Sequence, residues 1–486
     1  MSKILFVLKD TEMIDRMGIM FLSAMLKSHN HKVKCCITSK GDIVKTVREF
    51  NPDIIAYSIT TGEHDYYIRL NNMLKENFSF ISIFGGPHPT FFPEMIDKEG
   101  VDIICRGEGE YPLLELADRI ENKEKIDDIK NLWIKRDGTI IKNDVRELIG
   151  DLDSIPFPDR DVVYDSDSDL KNNTTKIFFS GRGCPFNCTY CFNHKFNALY
   201  FNKGKIVRKR SVKNVIQEIL DVKKRYNMSF VYFDDDTFII DKKWLKEFSR
   251  EYKENINLPF ACNVRANLID DETVRFLKDA NCQTVWMGIE CGNEKIRNNL
   301  LKRGMTDEQI INAVRMLKRN GIKVVTQNIL CLPVKNPLKI DLETLNLNIK
   351  CSPDFAGTSI LYPYPTTEIG DYSIKNGMFD GNFNDICTTN KLYSVLKFQD
   401  ERLKRQSENL HKLFAIAVRF PFSLPLIKFL IKLPPNKVFN FIFYGWYAYC
   451  WKFKIEKVGG LRNFIRLANI FVVYFITINR ENQRKR

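Results

Sequence analysis

The sequence predicts an α/β protein made of two consecutive parallel βα arrays followed by a mostly α-helical C-terminal part. Three observations carry that expectation. Short, near-continuous apolar runs alternate with helical patterns over residues 1–145, the alternation begins again at Lys176, and after about Lys391 the texture turns aromatic, basic and helical. Strands covered by helices on both faces read as unbroken apolar runs rather than as alternating ones.

Taken in order, Ile4–Leu8, Val33–Thr38, Asp53–Ile59, Phe80–Phe84 and Val101–Cys105 are the strands of the first array, with helices at about Gly18–Ser28 and Tyr111–Glu121. Ligands of such sheets sit beyond the carboxyl ends of the strands. Small and polar residues gather there: Lys9-Asp10-Thr11, Ser58-Ile59-Thr60-Thr61-Gly62, Gly85-Gly86-Pro87-His88-Pro89 and Arg106-Gly107-Glu108-Gly109-Glu110. Asp151–Arg160, with Pro156 and Pro158, reads as a connector. The second array runs through Ile177–Ser180, Phe230–Phe233, Ala261–Val264, Thr284–Ile289, Val324–Leu330 and Thr358–Leu361. Six strand–helix repeats imply a partial (β/α)6 barrel, with a closed eight-fold barrel as the alternative. The expected boundaries are 1–145 for the first domain, 146–172 for a linker, 173–390 for the barrel and 391–486 for the C-terminal domain.

Composition narrows the class. A chain of 486 residues that is 44% hydrophobic and 28% charged folds into several domains and is not a disordered polymer. The net charge of +14 is concentrated: from Asp400 onward there are 17 Lys and Arg against 5 Asp and Glu, which leaves about +2 for the first 399 residues. The basic character belongs to the tail, so no nucleic-acid partner is expected. Thirteen cysteines without regular spacing, behind a start that reads as a strand and not as a secretory leader, point to a reducing cytoplasm. In the tail, Leu413–Leu433, Val438–Trp451 and Ile470–Ile478 are apolar but shorter than the roughly 18 uninterrupted residues of a membrane span. Interleaved Lys428, Lys432, Lys437, Lys452, Arg462 and Arg466 suggest either a helical lid over the barrel or peripheral contact with an anionic membrane surface.

Three cysteines stand apart. Gly181-Arg182-Gly183-Cys184-Pro185-Phe186-Asn187-Cys188-Thr189-Tyr190-Cys191 places thiols at i, i+4 and i+7 in a loop directly after a strand. Thiolates are the usual ligands of iron–sulfur clusters, which normally take four, so three local ligands leave one iron open. Buried core cysteines, or a zinc site completed by His194, are the other readings of the same residues.

This stretch resembles the CxxxCxΦC signature of the radical S-adenosylmethionine (SAM) superfamily, with Tyr190 at the aromatic position. The resemblance implies that Cys184, Cys188 and Cys191 hold a [4Fe–4S] cluster whose open iron binds the amine and carboxylate of SAM, with Tyr190 near the adenine. An electron from the cluster would then cleave SAM to methionine and a 5′-deoxyadenosyl radical, drawn from a donor such as flavodoxin or ferredoxin. Asp234-Asp235-Asp236-Thr237-Phe238 resembles the FxDDxF segment of the group, which makes Asp235 and Asp236 candidate acceptors for the SAM amine, or else helix caps. Arg208, Arg210 and Ser211 resemble its RxRS segment. Arg265 is a candidate partner of the SAM carboxylate or a structural salt-bridge residue, and Glu290 a candidate contact to SAM or its ribose.

The first array, with Gly85-Gly86-Pro87-His88-Pro89-Thr90 and Arg106-Gly107-Glu108-Gly109-Glu110, resembles the Rossmann-like cobalamin-binding domain of cobalamin-dependent radical SAM enzymes. Tyr362-Pro363-Tyr364-Pro365-Thr366 resembles another segment of that group. The resemblance makes Thr11, Ser58, Thr60, Gly85, Gly86, His88, Gly107 and Glu108 candidate cobalamin contacts. The DxHxxG loop that supplies a cobalt ligand in many such domains is missing, because Lys9 to Gly18 contains no histidine. The activity implied is methylation of an unactivated carbon in a small-molecule or lipid-like substrate. Cyclisation, rearrangement and a non-catalytic sensing role are the alternatives.

Overall fold

In the computed structural model the described residues are 1–382, 392–450 and Ile455. They form two compact units, Met1–Pro185 with Phe192–Asp235, and Phe186–Cys191 with Asp236–Arg486.

The first unit is organised by a sheet of β1 (Lys3–Leu8), β2 (Lys32–Ile37), β3 (Ile54–Ser58), β4 (Ile81–Gly85), β5 (Ile103–Cys105), β6 (Leu132–Arg136) and β7 (Thr139–Lys142). Their order is β2-β1-β3-β4-β5-β6-β7, parallel from β2 to β5 and antiparallel beyond. The chain leaves β1 for β2 on one side and returns to β3 on the other, so the sheet's switch point lies between β1 and β3. Apolar Ile4, Leu5, Ile54, Ile55 and Phe84 are fully buried, as expected for strands covered on both faces. The β6–β7 hairpin was not anticipated. Its strands mix Ile and Trp with Lys and Arg, but Asp137 and Gly138 both have positive φ (50° and 75°), the conformation that an Asp-Gly hairpin turn supplies.

The same unit holds β8 (Thr175–Phe178) pairing in parallel with β11 (Phe230–Phe233), and a two-residue antiparallel bridge of β9 (Gly181–Arg182) with β10 (Arg208–Lys209). The expected connector is built into the unit: short helices form at Asp161–Tyr164 and Ser168–Lys171. Arg160 at its end is fully buried, donating to Asp15 (3.0 Å) and Glu218 (3.3 Å).

The second unit contains β12 (Phe260–Val264), β13 (Cys282–Glu290), β14 (Lys323–Leu330) and β15 (Phe355–Ile360), all parallel and paired in chain order. All six strands of the expected second array therefore form, two in the first unit and four in the second. The helix Asp307–Arg319 starts on a capping box, Thr306 with Gln309, and Pro337–Cys351 starts on Asn336 with Pro at its first position. The C-terminal helices are Glu401–Arg419, Leu424–Leu430 and Lys437–Cys450. Leu410, Leu413 and Phe414 of the first of these join Leu330, Ile360 and Leu345 in one apolar core. Among the described residues no helix is long and apolar enough to cross a membrane. Of the tail read from sequence, Ile470–Ile478 and the cations from Lys452 onward lie outside the described residues.

Candidate functional site

The second unit carries Phe186–Cys191, pinned by its backbone. Thr189 donates its N–H to the Leu301 carbonyl (3.3 Å) and its hydroxyl to that of Leu300 (2.7 Å), and its own carbonyl accepts from Ile369 N–H (3.1 Å). Cys188 is buried, and two guanidinium groups face its Sγ: Arg303 Nη1 at 3.5 Å and Arg265 Nη1 at 3.7 Å. Arg265 lies over the Phe186 ring (3.7 Å), donates from Nε to Asn267 Oδ1 (2.8 Å) and reaches the Arg303 carbonyl. Arg303 donates to the Gly288 carbonyl, while its buried Nε has no acceptor.

The charge around this thiol is unbalanced. Six arginines are buried in the described residues: Arg160, Arg208, Arg210, Arg265, Arg297 and Arg303. Arg160 pairs with Asp15 and Glu218, Arg208 with Glu108, Arg210 with Glu218, and Arg297 with Glu294 and Asp307. Arg265 and Arg303 form no salt bridge with a carboxylate among the described residues; their hydrogen-bond acceptors are carbonyls, an amide and the Cys188 sulfur, and the buried Glu290 acts on both through space. Burial, and then Arg303 beside it, lowers the Arg265 pKa. Burial works against the charge of Arg303 too, but Tyr190, Glu290 and Cys188 outweigh it and raise its pKa. A buried positive pair of this kind favours an anion placed beside it.

Tyr190 and Glu290 complete the group. Glu290 ends β13 with positive φ (68°), which turns its side chain out of the strand's ordinary alternation. Burial raises its pKa, against the pull of Arg303 and a hydrogen bond from Tyr190. Burial likewise lifts the Tyr190 phenol well above its usual value. Both line a cavity of about 370 Å3 with Trp286, Asn328, Tyr362 and Tyr447. Asn328 is held by a buried amide network, donating to the Gly357 carbonyl (2.9 Å) and accepting from Asn348 Nδ2 (2.8 Å). No lysine or arginine is among the cavity's described lining residues.

The first unit carries Cys184, whose carbonyl accepts from Asn197 Nδ2 (3.0 Å). The preceding Arg182 is anchored by Glu108 (3.0 Å) and Glu110 (2.5 Å), and Glu108 also receives Arg208 (2.9 Å) and the Ile149 N–H (2.9 Å). Both oxygens of Glu108 are thus engaged inside the unit. Asp235 is similarly engaged, accepting from Ser180 N–H (3.0 Å), Ser180 hydroxyl (2.7 Å) and Lys209 Nζ (3.3 Å). Asp236, in the second unit, is exposed. Arg208 and Arg210 are buried and paired, not a solvated turn.

At the carboxyl ends of β1, β3 and β4 stand the other candidates. Thr11 is buried and donates to Asp167 (2.5 Å), and Thr60 donates to Glu63 (3.2 Å). His88 stacks on His64 (4.1 Å between centroids) and Phe92 (5.0 Å), with Thr61 Oγ1 at 3.2 Å from Nδ1. Burial, helped by His64, pushes its pKa down to about 3, so the ring is neutral at physiological pH. Gly86 and Gly107 have positive φ (96° and 81°), and a Cβ would stand 2.9 Å from the Ile59 carbonyl oxygen at the first and collide with the Tyr200 hydroxyl at the second. Their lack of a side chain is accounted for by contacts within the unit. Ser58 and Gly85 sit at the ends of adjoining strands beside the switch point.

All twelve described cysteines are free thiols, and only Cys184 and Cys191 are not buried. Burial raises Cys105, Cys291 and Cys351 to about 12, so those thiols are unreactive packing groups. Among the described residues no three His, Cys, Asp or Glu side chains are gathered as ligands of one metal ion. The structure brings Cys188, Tyr190, Arg265 and Glu290 together, and adds Arg303, which the sequence reading did not single out. Lys302-Arg303-Gly304 reads locally as an ordinary solvated turn, and only the fold turns its arginine inward.

A parallel sheet with polar loops at its switch point, joined in one chain to a βα array whose thiol loop faces two buried arginines without a salt bridge, is an α/β arrangement suited to anionic cofactors. Known families agree: residues 178–341 match the Radical SAM superfamily and residues 7–117 the B12 binding domain. The chain belongs to the radical SAM enzymes that carry a cobalamin-binding domain. It is 28% identical over 421 residues to the uncharacterized methyltransferase PH0819 of Pyrococcus horikoshii, covering 83% of this chain and 90% of that protein. It is 26% identical to the anaerobic magnesium-protoporphyrin IX monomethyl ester cyclase of Rubrivivax gelatinosus over 68% of this chain and 60% of the cyclase. Its fold matches that of the cobalamin-dependent SAM radical enzyme OxsB, solved with aqua-cobalamin and SAM bound, with a TM-score of 0.66 at 17% identity over 100% of this chain and 80% of that one.

Proposed function

We propose that this radical SAM enzyme methylates an unactivated carbon of a small-molecule substrate. The observation that carries the reading is the pair Arg265 and Arg303 at Cys188 Sγ, the two buried arginines of the described residues without a carboxylate partner. Such a site suits an anionic thiolate-bound cluster and a carboxylate-bearing cosubstrate. Cys184, Cys188 and Cys191 would hold the [4Fe–4S] group, which when bound supplies the electron that cleaves SAM. Arg265 and Arg303 stabilise the thiolate and receive the SAM carboxylate, while Tyr190 and Glu290 border the adenosine side. Asp235 holds the end of β8 through Ser180, and the exposed Asp236 is the candidate acceptor for the SAM amine. Cobalamin, which would be held beside Ser58, Thr60, Gly85 and Gly86 near the β1–β3 switch point, supplies the methyl group when bound.

The cavity beside Tyr190 and Glu290 supports a substrate with a flat or apolar body, because aromatic rings and neutral amides make up most of its described lining, with Glu290 the one ionisable carboxyl group there. A one-electron donor such as flavodoxin or ferredoxin serves the cluster in a reducing cytoplasm. The test is anaerobic reconstitution with SAM, a reductant and hydroxocobalamin, followed by mass spectrometry with methyl-labelled SAM. The expected result is 5′-deoxyadenosine together with a product heavier by one labelled methyl group. A fully loaded protein that forms no 5′-deoxyadenosine overturns the radical reading. A product that carries no label while 5′-deoxyadenosine accumulates replaces methyl transfer by a cyclisation such as the Rubrivivax gelatinosus relative's name describes.

A further inference from the structure

Eight of the fifteen large apolar side chains that are exposed among the described residues lie between Phe420 and Tyr449. Phe422, Leu426 and Phe429 are 83%, 57% and 62% exposed, and Val438 and Phe441 are 63% and 69% exposed. Their spacing puts them on faces. On Lys437–Cys450 the exposed positions 438, 441, 445 and 449 follow helical intervals, while Asn440, Tyr444 and Cys450 turn inward. Around Leu424–Leu430, positions 422, 426, 429 and 433 do the same, with Ile427 inward.

The charge of this region is of one sign. No Asp or Glu occurs from Asn409 to Ile455, and Arg419, Lys428, Lys432 and Lys437 are all exposed among the bare aromatics. Exposed aromatic and aliphatic side chains interleaved with lysines, without any acid, are what an anionic lipid interface selects: rings enter the headgroup boundary while ammonium groups meet phosphates. A second copy of the chain fits less well, since an isologous contact would set the same lysines against one another. Tyr447, on the helix that bears Val438 and Phe441, also lines the 370 Å3 cavity, so one face of that helix borders the interior and another meets solvent.

We infer that the surface formed by Phe422, Leu426, Phe429, Val438 and Phe441 with Lys428, Lys432 and Lys437 docks the enzyme on an anionic bilayer. It does not depend on which reaction the enzyme performs. The test is flotation of the purified full-length protein with vesicles of phosphatidylcholine alone or mixed with phosphatidylglycerol, at low and high salt. The protein floats with the phosphatidylglycerol vesicles only, and salt releases it. Phe422→Ser with Phe429→Ser and Phe441→Ser, and separately Lys428→Glu with Lys432→Glu and Lys437→Glu, each weaken flotation by about tenfold or more. Melting temperature and 5′-deoxyadenosine formation in vesicle-free solution stay at the parent level, because these side chains pack against nothing in the site. No flotation with either vesicle, flotation indifferent to both variant sets, or a concentration-dependent dimer that those variants dissolve would each overturn the proposal. The last of these would assign the surface to a second copy instead.

Discussion

The buried arginines of the first unit and those of the cysteine loop in the second have the same chemistry and opposite surroundings. Arg160, Arg208 and Arg210 each meet a carboxylate, and with Asp15, Glu108 and Glu218 they tie together segments far apart in sequence. Arg265 and Arg303 meet a thiol, carbonyls and an amide. A guanidinium is costly to bury, and an unpaired one costs most. The first set stabilises a fold through direct ion pairs; the second shares only the buried Glu290, which forms no salt bridge with either arginine, and so leaves room for a further anion.

Four experiments break or sharpen that contrast. The largest effect falls on Cys188→Ala, which loses cluster iron and with it all 5′-deoxyadenosine formation; a variant with normal iron content and full turnover would remove the ligand assignment. Next is Arg160→Met, which leaves Asp15 without its arginine and Glu218 with Arg210 alone, and lowers unfolding stability by about 3–5 kcal/mol in chemical denaturation. Arg303→Met reverses the pattern. It lowers 5′-deoxyadenosine formation by about 10–100-fold, as loss of a group supporting a metal ligand does, yet moves the unfolding midpoint of the apo-protein much less than Arg160→Met. If both arginine variants destabilise equally and Arg303→Met turns over normally, the distinction between them fails.

The smallest effect is a pair of opposite pH responses. Asp341, fully buried under the Cys331 N–H, is pushed up by burial to about 7, while His88 is pushed down to about 3. For Asp341 the folded pKa lies above the unfolded one, so stability is lost as pH rises from about 4 to 7. For His88 it lies below, so stability is lost as pH falls from 6.5. Each contributes at most about 1.4 kcal/mol per pH unit. Relative to the parent, Asp341→Asn gains stability as pH rises across that window and His88→Gln gains it as pH falls. Parallel pH curves for parent and variants would show that these groups titrate normally.

Much of the architecture was legible because its signals are local. An unbroken apolar run such as Ile4–Leu8 implies a strand covered on both faces, and Cys184, Cys188 and Cys191 share one loop. The β6–β7 hairpin was passed over although Asp137-Gly138 marks its turn, because its strands carry Lys and Arg on their outer face. Arg160 looked like the end of a linker, and nothing near it in sequence announces Asp15 or Glu218, which lie 145 residues before it and 58 after.

By itself the sequence determined the two βα arrays and the cysteine triplet, since periodicity and ligand spacing are properties of neighbouring residues, and the enzyme family came from the resemblance of its motifs to a known signature. Only the tertiary structure decided which charges are compensated. It enclosed Glu108 and Asp235 among partners, brought Arg303 to Cys188, and left the aromatic–lysine surface of the C-terminal helices bare. Burial and pairing arise between segments that the chain keeps far apart, and electrostatic energy in a low-dielectric interior depends on those distances rather than on residue order.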